Sequence, residues 1–260
     1  MSSTSLLSQI GPLARRSIVR TMRQPAEYAP AIIFPLVLLA IFAGGLRSSE
    51  DLPGFPADSY LDFILGAIFV QGAITNGINS GGAVALDIQS GFLRRLGLTK
   101  VRPAALLAAQ LSGALVVGLI QAVVFLVIGF VFGVTFTTGA AGVAMILVLA
   151  LLITAAFAGL GTFLALRTGS AEVVQGIAPA LTFLMLLSSF LLPRPLIEVD
   201  WYRAVTGVNP MSYLIEAVRS LIITDWDSAA ILRGLAVAAG LIVLTITASS
   251  AAFVRRMGMR

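Results

Sequence analysis

The 260-residue chain contains no cysteine and no histidine. Without cysteine there are no disulfides, no thiol nucleophile and no covalent haem attachment. Without either residue the usual zinc sites disappear, and the lack of histidine removes the commonest general base. Charge is scarce as well. Asp, Glu, Lys and Arg together make up 11% of the chain, where a soluble globular domain carries about a quarter. Lysine occurs once, at Lys100, so the net charge of +5 is almost wholly arginine. The first 27 residues hold four arginines and no continuous apolar core before a small-residue cleavage site, so no cleaved secretory signal is expected.

What the chain does have is long uncharged runs, with 58% of its residues hydrophobic. A hydrocarbon core about 30 Å thick takes roughly 20 helical residues. Uncharged windows of that order cover 28–46, 63–86, 173–193 and 234–254, and a longer one covers 103–166. The longer window is divided by the polar, turn-like TFTTG at Thr135–Gly139, which gives spans over 103–134 and 140–166. The expected fold is therefore all-α, a polytopic membrane domain over residues 28–254 with six transmembrane helices. With the N-terminus inside, 12 of the 17 basic residues fall on the inner side and 9 of the 12 acidic residues on the outer side. That bias satisfies the positive-inside rule. A third span in the long window would put Arg167 outside and break the parity.

The remaining segments are amphipathic. Residues 1–27 interleave Leu6, Leu7, Ile10, Leu13, Ile18 and Met22 with arginines, as in a cytoplasmic interfacial helix or a plain basic topology anchor. Residues 194–233 read as an extracytoplasmic re-entrant or interfacial segment. Trp201 and Tyr202 suit the headgroup level. Asn209 and Pro210 suit the start of an outer-leaflet amphipathic helix before the last span. Met211, Leu214, Ile215, Val218, Leu221 and Ile222 form its apolar face, with Glu216 and Arg219 opposite. Residues 255–260 form a cytoplasmic tail. The inner segment 85–102, ALDIQSGFLRRLGLTKVR, counted as a helix, puts Phe92, Leu93 and Leu96 on one side and Asp87 and Arg94 nearly opposite. It is either a topology loop or a short cytoplasmic helix fit to dock in a partner's groove.

Polar residues interrupt the second span. Gln71, Thr75 and Asn79 recur at helical spacing with Asn76 and Ser80 beside them, and Gln110 and Gln121 lie in the third span. They line a substrate pathway or hold helices together. Gly77-x-x-x-Gly81 and Gly129-x-x-x-Gly133 favour close helix approach. No catalytic or metal-binding residues are expected. Serine-protease chemistry lacks its histidine, and no carboxylate lies inside a span.

Three stretches resemble the membrane subunits of type-2 ATP-binding-cassette exporters: DIQSGFLRRLGLTKVRP, GVNPMSYLIEAVRSLI and RQPAEYAPAIIFPLVLL. The wording GFLRRL leans toward the branch similar to daunorubicin-resistance drug or lipid permeases. Lys100 and Ser90 stand where that pattern usually has proline and glutamate. The resemblance implies that Asp87, Gly91, Phe92, Arg95, Leu96 and Thr99 belong to an ATPase-coupling helix, with Arg94 on its exposed face. It also implies that Asn209, Pro210, Tyr213 and Arg219 form the outer signature. The implied protein is the permease subunit of an exporter for a hydrophobic or amphipathic substrate (drug, lipid or glycan-like). It would sit in a bacterial inner membrane with both termini cytoplasmic, among membrane lipid and beside a second permease, identical or not. The chain has no Gly-x-x-x-x-Gly-Lys-[Ser/Thr] phosphate loop, so ATP and Mg would sit on a separate ATPase subunit; no nucleic acid is implied. The alternative is a channel or assembly factor outside the cassette class, with no ATPase partner.

Overall fold

A computed structural model describes residues 6–23, 25–91 and 103–256, and every regular element among them is helical. In chain order these are α1 (Leu6–Arg23), α2 (Pro25–Gly45), α3 (Tyr60–Gln89), α4 (Pro103–Val131), α5 (Gly139–Thr168), α6 (Ala171–Gly176), α7 (Ala178–Leu186), α8 (Asp200–Val208), α9 (Pro210–Ile223) and α10 (Ser228–Arg256). Short 3-10 turns occupy Arg47–Asp51 and Arg194–Leu196. Among the described residues, five helices (α2, α3, α4, α5 and α10) are long and apolar enough to cross a membrane. The turn between α4 and α5 falls at TFTTG.

The bundle is organised around α3. Of its apolar window, 83% is buried, against 17% for α2 and 22% for α10, which turn mostly outward. Small residues make this possible. A Cβ added at Gly81 would lie 2.3 Å from the carbonyl carbon of Gly161, and one at Gly77 would lie 2.7 Å from Phe157 Cβ. The backbones of α3 and α5 therefore nearly touch along the Gly77-x-x-x-Gly81 face. The second glycine pair divides: Gly129 faces Leu65, while Gly133 sits past the end of α4 at φ +87°.

Proline in α2 creates a second packing demand. Pro35 has no N–H to give the carbonyl of Ala31 one turn earlier. Gln121 of α4 supplies the missing donor, its Nε2 lying 2.6 Å from Ala31 O. Gly72 leaves the room, since a Cβ there would come within 2.4 Å of that nitrogen. Gln121 is thus helix-to-helix glue in a place where water cannot substitute.

Where a fifth span over 173–193 was expected, the chain forms two short helices. The segment breaks at Ile177, between Gly176 and Pro179, and the apolar helical stretch Ala171–Leu186 is shorter than the other five. Residues 187–193 are irregular. Pro179 explains the break, because it cannot donate to the Gln175 carbonyl and glycine is a poor helix former. The direction of the segment is nonetheless clear. Gln89 Nε2, at the C-terminal end of α3, donates to Gly169 O at 3.1 Å, and Tyr60 Oη, at the N-terminal end, donates to Leu191 O at 2.8 Å. The stretch 169–191 runs the length of α3, antiparallel to it.

The ends of the helices sort by charge. Arg20 of α1 pairs with Asp87 at 2.7 Å, and Arg256 at the end of α10 donates to Leu166 O at the end of α5. The last turns of α3, α5 and α10 gather there with α1, which packs chiefly on α4. At the opposite end Thr138 Oγ1 donates to Leu221 O at 2.6 Å, joining the start of α5 to the end of α9.

Helix α9 corrects one expectation. An amphipathic helix with Glu216 and Arg219 on a polar outer face was expected, yet α9 is buried nearly all round and Arg219 is only 5% exposed. Two glycines let it sink between α3 and α10. A Cβ at Gly66 would lie 2.9 Å from Arg219 Cα, and one at Gly234 would lie 2.3 Å from Ala217 Cβ. The amphipathic character belongs instead to α8, a helix the sequence pattern did not reveal, whose Trp201 and Val208 are exposed.

Gly81→Leu should lower stability by about 3 kcal/mol, since neither backbone at the α3–α5 contact can retreat. Gly44→Leu, where nothing lies within 4 Å, should stay within ~0.5 kcal/mol of the parent. Thermal unfolding of the purified chain in detergent checks both.

Candidate functional site

The irregular stretch after α7 leaves backbone carbonyls without helical partners, and in hydrocarbon each must be met by protein. Side chains from three different helices and one helix junction converge on them. Asn209 Nδ2 donates to Leu184 O at 2.7 Å and Leu187 O at 3.0 Å. Tyr202 Oη donates to Leu186 O at 2.6 Å. Arg219 Nη2 donates to Phe190 O at 3.2 Å, and Tyr60 Oη holds Leu191 O.

Each residue of the expected outer signature has a place in this arrangement. Asn209 lies between α8 and α9, where its Oδ1 accepts from Met211 N at 2.9 Å, so one carboxamide caps α9 and ties down α7. Pro210 opens α9 at its first position, where the missing N–H costs nothing. Tyr213 Oη donates back to Gly207 O, fixing α8 against α9. The Arg219 guanidinium donates from Nε to Phe63 O at 2.9 Å and lies 3.5 Å from the centre of the Phe63 ring. Two carbonyls and a ring face replace part of the water this buried cation has lost. Glu216 pairs with Arg194 at 2.6 Å, and Arg194 stacks over Tyr213.

The polar stripe of α3 divides. Asn76 turns toward α4, buried, its Nδ2 donating to Ala114 O at 2.9 Å; it is a packing residue. Gln71, Thr75 and Asn79 face the other way. With Ile74 and Ile78 they form one wall of a partly open groove whose other wall is Ala178, Leu181 and Thr182 of α7, with about 20 Å³ of free volume between them. Thr75 Oγ1 donates to Gln71 O at 2.9 Å within the helix. The carboxamides of Gln71 and Asn79 make no hydrogen bond among the described residues, although Gln71 is only 5% exposed.

At the arginine-rich end, Asp87 and Gly91 are the described members of the expected coupling segment. Gly91 terminates α3 at φ +71°, its N–H donating to Ile88 O at 3.0 Å. Phe92, Arg94, Arg95, Leu96 and Thr99 lie outside the described residues. Asp87 is held by Arg20, and two residues on, Gln89 is bonded to the α5–α6 turn. Sequence reasoning missed Arg20, Gln89 and Tyr60, and gave Tyr202 a place at the headgroup level without its bond to Leu186 O. One signal was available: Asp87 is an acid in an arginine-rich stretch, which asks for a basic partner.

A family profile described as ABC-2 type transporter matches residues 8–223. That interval contains the root of the expected coupling segment, the groove and the Asn209–Arg219 signature. The transport permease ycf38 of Porphyra purpurea is 27% identical over 229 residues, covering 86% of this chain and 78% of its own length. The permease of the same name from Pyropia yezoensis is 29% identical over 223 residues, covering 84% and 75%. That from Cyanophora paradoxa is 24% identical over 225 residues, covering 85% and 76%.

Asn209→Asp keeps the acceptor that caps α9 but removes the donor that reaches Leu184 and Leu187. It should cost about 2 kcal/mol, close to the effect of Asn209→Ala, because the orphaned carbonyls have no water to turn to. Equal stability of Asn209→Asp and the parent in detergent unfolding would show that the carbonyl contacts carry no weight.

Proposed function

This chain belongs to the ABC-2 type transporter family, and we propose that it is the permease subunit of an ATP-driven exporter. The match across residues 8–223 carries the proposal. In this reading the membrane contains six crossings, the sixth being the interrupted α6–α7 segment, which travels the length of α3. The arginine-rich end is cytoplasmic, both termini are inside, and the membrane is the inner membrane of a bacterium. The chain works as a dimer with a second permease. ATP and Mg bind a separate ATPase subunit docked at residues 85–102, where Phe92, Arg94, Arg95, Leu96 and Thr99 make the contact.

ATP binding would draw two ATPases together and displace that segment as a largely rigid body. Its root is tied on two sides. The Arg20–Asp87 pair carries the displacement to α1, and the Gln89–Gly169 hydrogen bond carries it to the turn that begins α6. Helices α3 and α7 are the two walls of the groove. A push at the root of α3 therefore changes the groove, which serves as the pathway for a hydrophobic or amphipathic substrate, as in the daunorubicin-resistance-like branch.

Affinity capture of the chain from native membranes in mild detergent, followed by mass spectrometry, tests the assignment. A stoichiometric protein with a nucleotide-binding phosphate loop is expected, and it should be lost with Arg94→Glu while the permease remains inserted. Repeated capture with no ATPase would overturn the exporter assignment in favour of a channel or assembly factor.

A further inference from the structure

We propose that the α3–α7 groove selects an uncharged, hydrogen-bonding headgroup, of the hydroxyl- or amide-rich kind, on an amphiphile whose apolar tail lies along the outer face of α7. It rests on the reading of this groove as the transport pathway and narrows the substrate class.

The lining decides the charge. None of the eight residues around the groove is ionisable. The nearest charged residues on its two walls are distant along their helices. Asp62 is about 13 Å before Gln71 and Asp87 about 12 Å beyond Asn79, by helical rise, and Glu172 lies at the inner start of α6. Asp87 is already paired with Arg20. A cationic or anionic headgroup entering here would shed its water and meet no opposite charge.

The unpartnered amides decide the chemistry. Gln71 is buried to 5% exposure, and among the described residues its carboxamide makes no hydrogen bond. Polar groups inside a bundle are ordinarily satisfied, and this amide is open only to the groove it lines. It offers a donor and an acceptor together. Asn79 repeats the offer about 12 Å along the same face, with the Thr75 hydroxyl between them, and Thr182 faces them from α7. Such alternating donors and acceptors match a ring of hydroxyls or an amide better than a compact ion.

Size and surroundings place the tail. The walls stand close, with about 20 Å³ free between them, about the room one water needs, so the groove takes the hydrogen-bonding edge of a headgroup and not a whole lipid. Phe183 and Leu186, exposed on α7 next to the groove, form an apolar track beside it.

The absence of cysteine makes a clean test. Phe183→Cys, labelled with bimane in the full chain in phosphatidylcholine nanodiscs, reports the arrival of amphiphiles carrying one doxyl-labelled tail and a glucoside, carboxylate or trimethylammonium head. The glucoside should half-quench at a concentration about tenfold below either charged analogue, the effect of one or two well-placed hydrogen bonds. Gln71→Met should erase that preference while leaving thermal unfolding unchanged, because the amide has no protein partner to lose. Asn79→Leu should reduce the preference independently, should Gln71→Met fold poorly. Equal quenching by the three heads, a preference for a charged head, or a glucoside preference that survives both substitutions would overturn the proposal. The assay contains no ATPase and involves no transport. Headgroup selectivity can thus fail while ATPase capture succeeds, and the converse holds too.

Discussion

Hydrocarbon offers no hydrogen bonds, and the architecture follows from how this chain satisfies a backbone that stops being helical inside the bundle. After Leu186 the chain turns through residues 187–193. Buried without a partner, each of these carbonyls would cost about 1–3 kcal/mol. The donors come from distant places: Tyr60 at the start of α3, Tyr202 on α8, Asn209 at the α8–α9 junction and Arg219 inside α9. To bring Arg219 close enough, α9 must sink into the bundle, which requires glycine at positions 66 and 234. To let Asn209 serve two helices, the chain must break between α8 and α9, where Pro210 begins the second. The outer signature is therefore a device for holding the end of an interrupted helix, and its buried arginine is held by carbonyls and a ring.

Helix α3 joins that device to the arginine-rich end. Its first turn carries Tyr60 and Phe63, which meet the turn after α7 and Arg219. Its middle carries the groove face with Gln71, Thr75 and Asn79. Its last turns carry Asp87 and Gln89, bonded to α1 and to the α5–α6 turn. Glycine contacts at Gly77 and Gly81 clamp the helix to α5 along the way, so it moves with α5 more readily than it bends. A broken helix on one side of the groove and an unbroken, tightly clamped helix on the other give two walls of unequal stiffness.

Much of this was legible in the residues. Uncharged windows located α2, α3, α4 and α5 to within about three residues, because charge is costly in lipid and marks the borders; the window for α10 starts late, at 234, because Arg233 lies inside that helix. TFTTG was read correctly as a turn, and Asn209–Pro210 as a helix start. The break at Ile177 was passed over although Gly176 and Pro179 announce it, because counting apolar residues measures transfer to lipid and ignores hydrogen bonding. The burial of Arg219 was not legible at all. Its helical position put it opposite the apolar face, and only the glycines of α3 and α10 reveal that no open face remains there. The stripe on α3 was half legible: spacing grouped Asn76 with Gln71 and Asn79, but the neighbour each one meets decides between packing and groove.

The central claim is that the interrupted segment 169–191 crosses from the arginine-rich end to the opposite one, held there by side chains on its carbonyls. Single cysteines placed in this cysteine-free chain test it directly, at Ser170 where the segment starts and at Glu198 after it, probed with a membrane-impermeant maleimide on intact cells and after permeabilisation. The account predicts that Glu198→Cys is labelled on intact cells and Ser170→Cys only once the membrane is opened. Labelling of both positions from the same side would contradict the crossing, and with it the six-span topology.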